Sequence, residues 1–137
     1  MLPDPARIDL SRYRLQKAKE MLASAQRDMA AEDYASANNR AYYSIFHTMR
    51  AVLALDGEDY KKHSAVIARF TLNYLKPEIL PREYSKLISS ASLIRNRSDY
   101  EDFYICSAAD TRALYSGAAS FCTEVEGYLS KRYKGEL

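Results

Sequence analysis

Glycine and proline are scarce in this chain, four of each in 137 residues, so there are few points at which a helix is forced to stop. Between those points apolar residues recur at intervals of three and four, the spacing that lines up one face of a helix. No stretch shows the strict alternation of a strand. The reading is all-α: a four- to five-helix up-and-down bundle, a single domain over residues 1–137. That length is enough to enclose one hydrophobic core.

After a leader holding Pro3 and Pro5, a first helix is expected from about Ser11 to Ala31, with Leu15, Ala18, Leu22, Ala25 and Met29 as its core stripe. Asp33 has the side chain to cap a second helix, which carries Ala35, Tyr42, Ile45, Met49 and Val52 inward and stops at Gly57. So short a connection makes the two antiparallel. Lys61, Lys62 and His63 form a basic loop, from which Ser64 is expected to cap a shorter helix running through Val66, Ile67 and Phe70 to about Tyr74. Pro77 and Pro81 bracket a connector, with Pro81 in the first turn of a fourth helix. That helix turns Leu87, Ile88, Ala91 and either Leu93 or Ile94 inward and frays near Asp99. Tyr100–Cys106 reads as a loop. Ser107 or Asp110 starts the last helix, striped by Leu114, Ala118, Phe121, Val125 and Tyr128, with Lys131, Arg132 and Lys134 at its negative end.

A formal charge of +2 is nearly neutral, so any anion binding must come from a local cluster rather than from bulk charge. The two cysteines, Cys106 and Cys122, form no CxxC pair, and the start MLPDPARIDL has neither the cationic nor the apolar part of a signal peptide. No apolar run approaches the ~18 residues of a membrane span. A soluble cytoplasmic protein with reduced thiols is expected. Two histidines, no Glu-x-x-His pair and no thiolate cluster argue against a metal site, and no Gly-rich phosphate loop is present; no cofactor is expected.

Two features could carry chemistry. At ~100° per residue, Ser36, Arg40, Tyr43, His47 and Arg50 share one side of the second helix, beside its core face. A solvated face is one reading of this stripe; a phosphate site or a subunit contact is the other. The second feature is Arg95, which falls in line with Tyr84, Ile88 and Ala91, where an apolar residue belongs. Burying an unpaired guanidinium costs several kcal/mol, so Arg95 needs a partner, a groove or an interface. Asp99 is the local candidate, although Arg before Asp is the weaker order for such a helical pair. Asn96 and Arg97 point to solvent.

The runs ANNRAYYSIFHTMRAVL (Ala37–Leu53), KKHSAVIARF (Lys61–Phe70) and RNRSDY (Arg95–Tyr100) resemble a HEPN domain, and the resemblance covers nearly the whole chain. It implies a helical bundle, usually a homodimer, and in many bacterial members a partnership with a small nucleotidyltransferase in a toxin–antitoxin module. In the nuclease members an Arg and a His a few residues later cut RNA without metal at the dimer groove. There the Arg stabilises charge on the phosphate and the His moves protons. Arg95 matches that Arg. Tyr100 stands in the region of the His, and no His follows it; a phenol near pKa ~10 is a poor base at neutral pH.

Three readings follow. The first is a dimer that binds RNA or a nucleotide in a groove with Arg95, Arg40, Tyr43, His47, Arg50 and His63, acting as the toxin-like partner of a nucleotidyltransferase. The second is a metal-independent endoribonuclease with a rearranged site, using Arg95 with Asp99, Tyr100 or a distant histidine, His47 or His63. The third is a non-enzymatic interaction module built on the Tyr43–His47 stripe and the Tyr100–Tyr104 loop. The resemblance also implies Tyr100 and Tyr104 as candidates for adenylate modification by the partner.

Overall fold

A computed structural model describes residues 2–137. Among them five α-helices and no strand occur: α1 (Pro5–Ala30), α2 (Tyr34–Leu55), α3 (His63–Phe70), α4 (Tyr84–Tyr100) and α5 (Ala108–Tyr133). A π-helical turn, Thr71–Leu75, extends α3. None of these helices is long and apolar enough to cross a membrane.

The long helices alternate in direction, and side-chain bonds show how. Ser11 Oγ donates to Ala51 O at 2.7 Å and Ser44 Oγ to Ala18 O at 2.9 Å, so α1 and α2 run antiparallel. Asn38 meets Ser98 and Tyr43 meets Arg95, which sets α4 antiparallel to α2. Ser11 meets Tyr133 and Lys19 meets Glu126, which does the same for α5 and α1. The expected up-and-down bundle is what forms, with α2 at its centre, packed by every other helix.

Centrality explains the burial pattern. The core joins Ile45, Met49, Val52 and Leu53 of α2 to Leu15 and Ala18, Phe70, Ile88 and Ala91, and Phe121, Val125 and Leu129. Fully burying each large apolar side chain contributes roughly 1.5–3 kcal/mol. From Ala51 to Leu55 every residue of α2 is buried, so its last turn is apolar all round rather than one-faced. Beyond its first turn, where Ala35, expected inward, is only half-buried, only the side carrying Arg40, Tyr43, His47 and Arg50 stays partly open.

Local chemistry sets the helix ends. Asp33 caps α2 by accepting from Ser36 N at 3.2 Å, and Gly57 lies just beyond its end at φ +71°. The first helix begins earlier than Ser11, because Asp4 accepts from Ala6 N at 2.7 Å and Pro5 fills the position where a missing N–H is harmless. Ser64 does not cap α3; the helix starts at His63 after Lys62, with no side-chain cap. Pro81 lies ahead of α4 rather than in its first turn, its carbonyl accepting from Tyr84 N at 3.2 Å. That helix runs through Asp99 to Tyr100, so Tyr100 is helical, and Ile94 rather than Leu93 packs on the core. Ser107 caps α5. Of its basic tail, Arg132 turns back to Asp56 at 3.2 Å and to the Tyr74 hydroxyl at 2.9 Å, while Tyr74 donates to Asp56.

Candidate functional site

The open stripe of α2 is a partly exposed face between two flanking helices. α1 and α4 pack on α2 from opposite sides, α1 contributing Arg14 and Lys17 and α4 contributing Arg95 and Asp99 beside the stripe. His63, the first residue of α3, reaches in at the edge through Tyr42.

Arg95 is held by rings. Its guanidinium carbon lies 5.1 Å from the Tyr42 ring centre, 5.5 Å from Tyr43 and 5.9 Å from Tyr100. One Nη donates to the Tyr43 hydroxyl at 3.2 Å and the other to Asn96 Oδ1 at 3.3 Å. The clasp to Asp99 exists, Nε to Oδ2 at 3.2 Å, but without hydrogen-bond geometry, so it is a charge contact only. Asp99 is shared: the same oxygen accepts from Asn39 at 3.0 Å. With its side chain 17% exposed, Arg95 sits where the apolar spacing places it. The tyrosine faces, each worth ~0.5–2 kcal/mol to a cation depending on desolvation, are what make an inward guanidinium tolerable.

Both histidines converge on the same rings. His63 Nδ1 is 2.9 Å from the Tyr42 hydroxyl, and its ring centre lies 4.1 Å from that of Phe46 and 5.6 Å from that of Tyr43, to which it stands nearly perpendicular. Burial, then the positive charges of Arg95 and Arg50, push its pKa below the usual value, so His63 is neutral at pH 7. Burial raises the Tyr42 phenol against the pull of Arg95. His47 is 6.2 Å from Tyr43, ring to ring, with its Nδ1 enclosed and unbonded. Its pKa falls to about 4 through burial, with Arg50, Lys17, Arg14 and His63 adding to the effect.

At the far end of the stripe Arg50 donates to Asp59 Oδ1 at 3.0 Å and stands 5.8 Å over the Phe46 ring. Arg14 donates to the other Asp59 oxygen at 3.2 Å and to Arg50 O at 3.4 Å. At the near end Arg40 is exposed, bonded to Asn39 at 3.3 Å beside a small cleft of about 170 Å³ that Asp99 also lines. Tyr100 is 73% exposed although its ring touches Arg95, while Tyr104 is half-buried on the following loop, its phenol raised chiefly by burial, then by Cys106 and Asp110.

The structure therefore brings Arg95, Tyr43, His47, His63 and Arg50 together, joins Asp99 and Tyr100 to them through Arg95, and leaves Arg40 and Tyr104 at the margin. Arg14, Tyr42, Phe46 and Asp59 are additions to the site. Tyr42 reads as core from its spacing, and its ring is buried, but its hydroxyl faces the histidine. Arg14 was discoverable, because it shares a helix face with Ala18 four residues on. Such a surface can hold an anion and stack a flat ring. Among the described residues no group of three or more His, Cys, Asp or Glu side chains lies close enough to hold a metal ion. A cavity of about 330 Å³ between α1 and α5 is lined by Glu126 and Lys19 but by none of the residues of this site.

The HEPN domain model matches residues 11–128. A Methanocaldococcus jannaschii protein named "Putative toxin" is 27% identical over 124 residues, 89% of this chain and 84% of its own. A Thermotoga maritima protein named only as a UPF0332 protein is 27% identical over 114 residues, 83% of this chain and 86% of its own. A UPF0332 protein of Pyrococcus horikoshii is 43% identical over 51 residues, a match that spans only 36% of that relative.

Proposed function

Since the chain belongs to the HEPN domain family, we propose that it is the toxin-like member of a two-protein module and binds RNA or a nucleotide through a phosphate at Arg95. What carries this reading is the caged guanidinium. Its partners inside the chain are aromatic faces, neutral oxygens and one carboxylate already shared with Asn39, so charge is left to meet an anion from outside. Relatives whose printed name is "Putative toxin" support the toxin-like role. A homodimer would set two such faces against each other, and a small nucleotidyltransferase is the partner this role calls for. Tyr100, exposed beside Arg95, is better placed than Tyr104 to receive adenylate from it. The test is binding of a labelled RNA oligonucleotide to the intact protein and to Arg95→Gln. Loss of one charge-assisted phosphate contact weakens affinity about tenfold or more; unchanged affinity sinks the proposal.

One observation favours a second reading, metal-independent RNA cleavage. His63 lies beside Arg95's ring cage and is neutral at pH 7. In the tautomer that donates Nδ1–H to the Tyr42 oxygen, Nε2 is a free base. It would take the proton of a ribose 2′-hydroxyl as that oxygen attacks the adjacent phosphorus. The bond from phosphorus to the 5′-oxygen then breaks, that oxygen leaves as a hydroxyl by taking a proton from water, and a 2′,3′-cyclic phosphate remains while His63 returns its proton to the solvent. Cleavage in chelator that disappears in His63→Gln and persists in His47→Gln is the expected signature.

A further inference from the structure

The open face of α2 does not end at Arg95. Tyr43, against which Arg95 rests, and Arg50 are seven residues apart on one face of α2, two turns or about 10 Å. Between them the rings of Tyr43, His47 and His63, backed by buried Phe46, follow one another with centres 4.1–6.2 Å apart. At the far end two guanidiniums converge on a single carboxylate, each on its own oxygen, the fork that arginines also present to a phosphate.

The exposures in this fork are uneven. The Arg14 side chain is 9% exposed, whereas that of Asp59, on the loop between α2 and α3, is 57% exposed. A clasp made for stability alone would enclose both partners, since an exposed carboxylate is screened and holds weakly. Two further groups lack hydrogen-bond partners and are enclosed at this end, Arg50 Nε and His47 Nδ1. Lys17 adds a third positive charge felt at His47. The neighbourhood is cationic with one exposed anion in its centre.

We propose that this face binds single-stranded RNA across two phosphate subsites, Arg95 at one end and the Arg14–Arg50 fork at the other, with a base laid on the rings between them. Asp59 occupies the second subsite in the free protein and is displaced by the incoming phosphate. The proposal rests on the reading of Arg95 as a phosphate ligand and adds the substrate class: a mononucleotide fills one subsite, and an oligonucleotide fills both.

Calorimetry with uridine 5′-monophosphate, a short oligouridylate and inorganic tripolyphosphate separates these statements. The oligouridylate is expected to bind about tenfold or more tightly than the monophosphate. Arg50→Gln should shrink that ratio and lower the slope of log affinity against log salt by about one. Asp59→Asn, on an exposed loop, should tighten oligouridylate binding several-fold while lowering Tm, a combination that a purely structural clasp does not produce. If both ligands bind and depend on Arg95 but the ratio ignores Arg50 and Asp59, this proposal fails and the Arg95 reading stands. If neither ligand binds, both fall. Tripolyphosphate binding as tightly as the oligouridylate would leave the rings without a role and overturn the RNA assignment.

Discussion

His47 ought to make the fold sensitive to mild acid. In the native protein its pKa is about 4, set first by burial and then by Arg50, Lys17, Arg14 and His63; in the unfolded chain it returns to the ordinary 6.5. Between those values the unfolded state holds a proton that the folded state refuses. Stability is therefore complete above pH 6.5, falls as pH drops toward 4, and falls no further from this group below that. At pH 5 the full shift would cost about 2 kcal/mol. Because the ring is only half-buried, solvent screening cuts this to about 1 kcal/mol. Urea unfolding of the protein and of His47→Gln at pH 7 and pH 5 isolates the effect, since the carboxylates titrate alike in both. The difference in stability between the two pH values should be about 1 kcal/mol smaller in the variant. His63→Gln serves as a comparison, because that ring is also held neutral by burial, Arg95 and Arg50. Identical pH dependence in protein and His47→Gln would refute the reasoning, as would an NMR titration of the His47 ring centred near 6.5.

Two glycines should respond in opposite directions. Gly127 lies inside α5 with open space where a Cβ would be, so Gly127→Ala should stabilise by about 0.5–1 kcal/mol; Gly57 has φ +71° and a Cβ there would meet the Arg7 guanidinium carbon at 2.6 Å, so Gly57→Ala should destabilise by about 1 kcal/mol or more, both read from thermal melts. Tyr74→Phe removes the hydroxyl that links Asp56 to Arg132 and should cost about 1.5–3 kcal/mol in denaturant unfolding; a cost near zero would show that water replaces the hydroxyl there.

The helices were legible in the sequence because their signals are local. Stripes such as Leu114, Ala118, Phe121 and Val125, the Asp33 cap and the Gly57 stop each depend on neighbours within one or two turns, and the structure has them. Pro81 and Ser64 misled, since both residue types also suit the turn just outside a helix or its first turn inside, and spacing does not separate the two. Arg95 was legible as an inward charge, but its cage was not: Tyr42 and Tyr43 come from another helix more than fifty residues earlier in the chain. The same holds for the pairing of Tyr42 with His63 and for the Arg14–Asp59–Arg50 fork, which joins α1, α2 and a loop. Contacts across helices depend on tertiary packing, and periodicity within one helix carries no record of them.

Beyond its first turn α2 is enclosed on every side but the one that carries Tyr43, His47 and Arg50. A guest pressing on that side pushes against the densest part of the molecule, which hardly compresses. That side stays put, and adjustment falls to α1 and α4, which lean on α2 from opposite flanks. Free and occupied protein would then differ in the tilt of those two rods, while amide exchange along Ala51–Leu55 remains as slow as global opening permits.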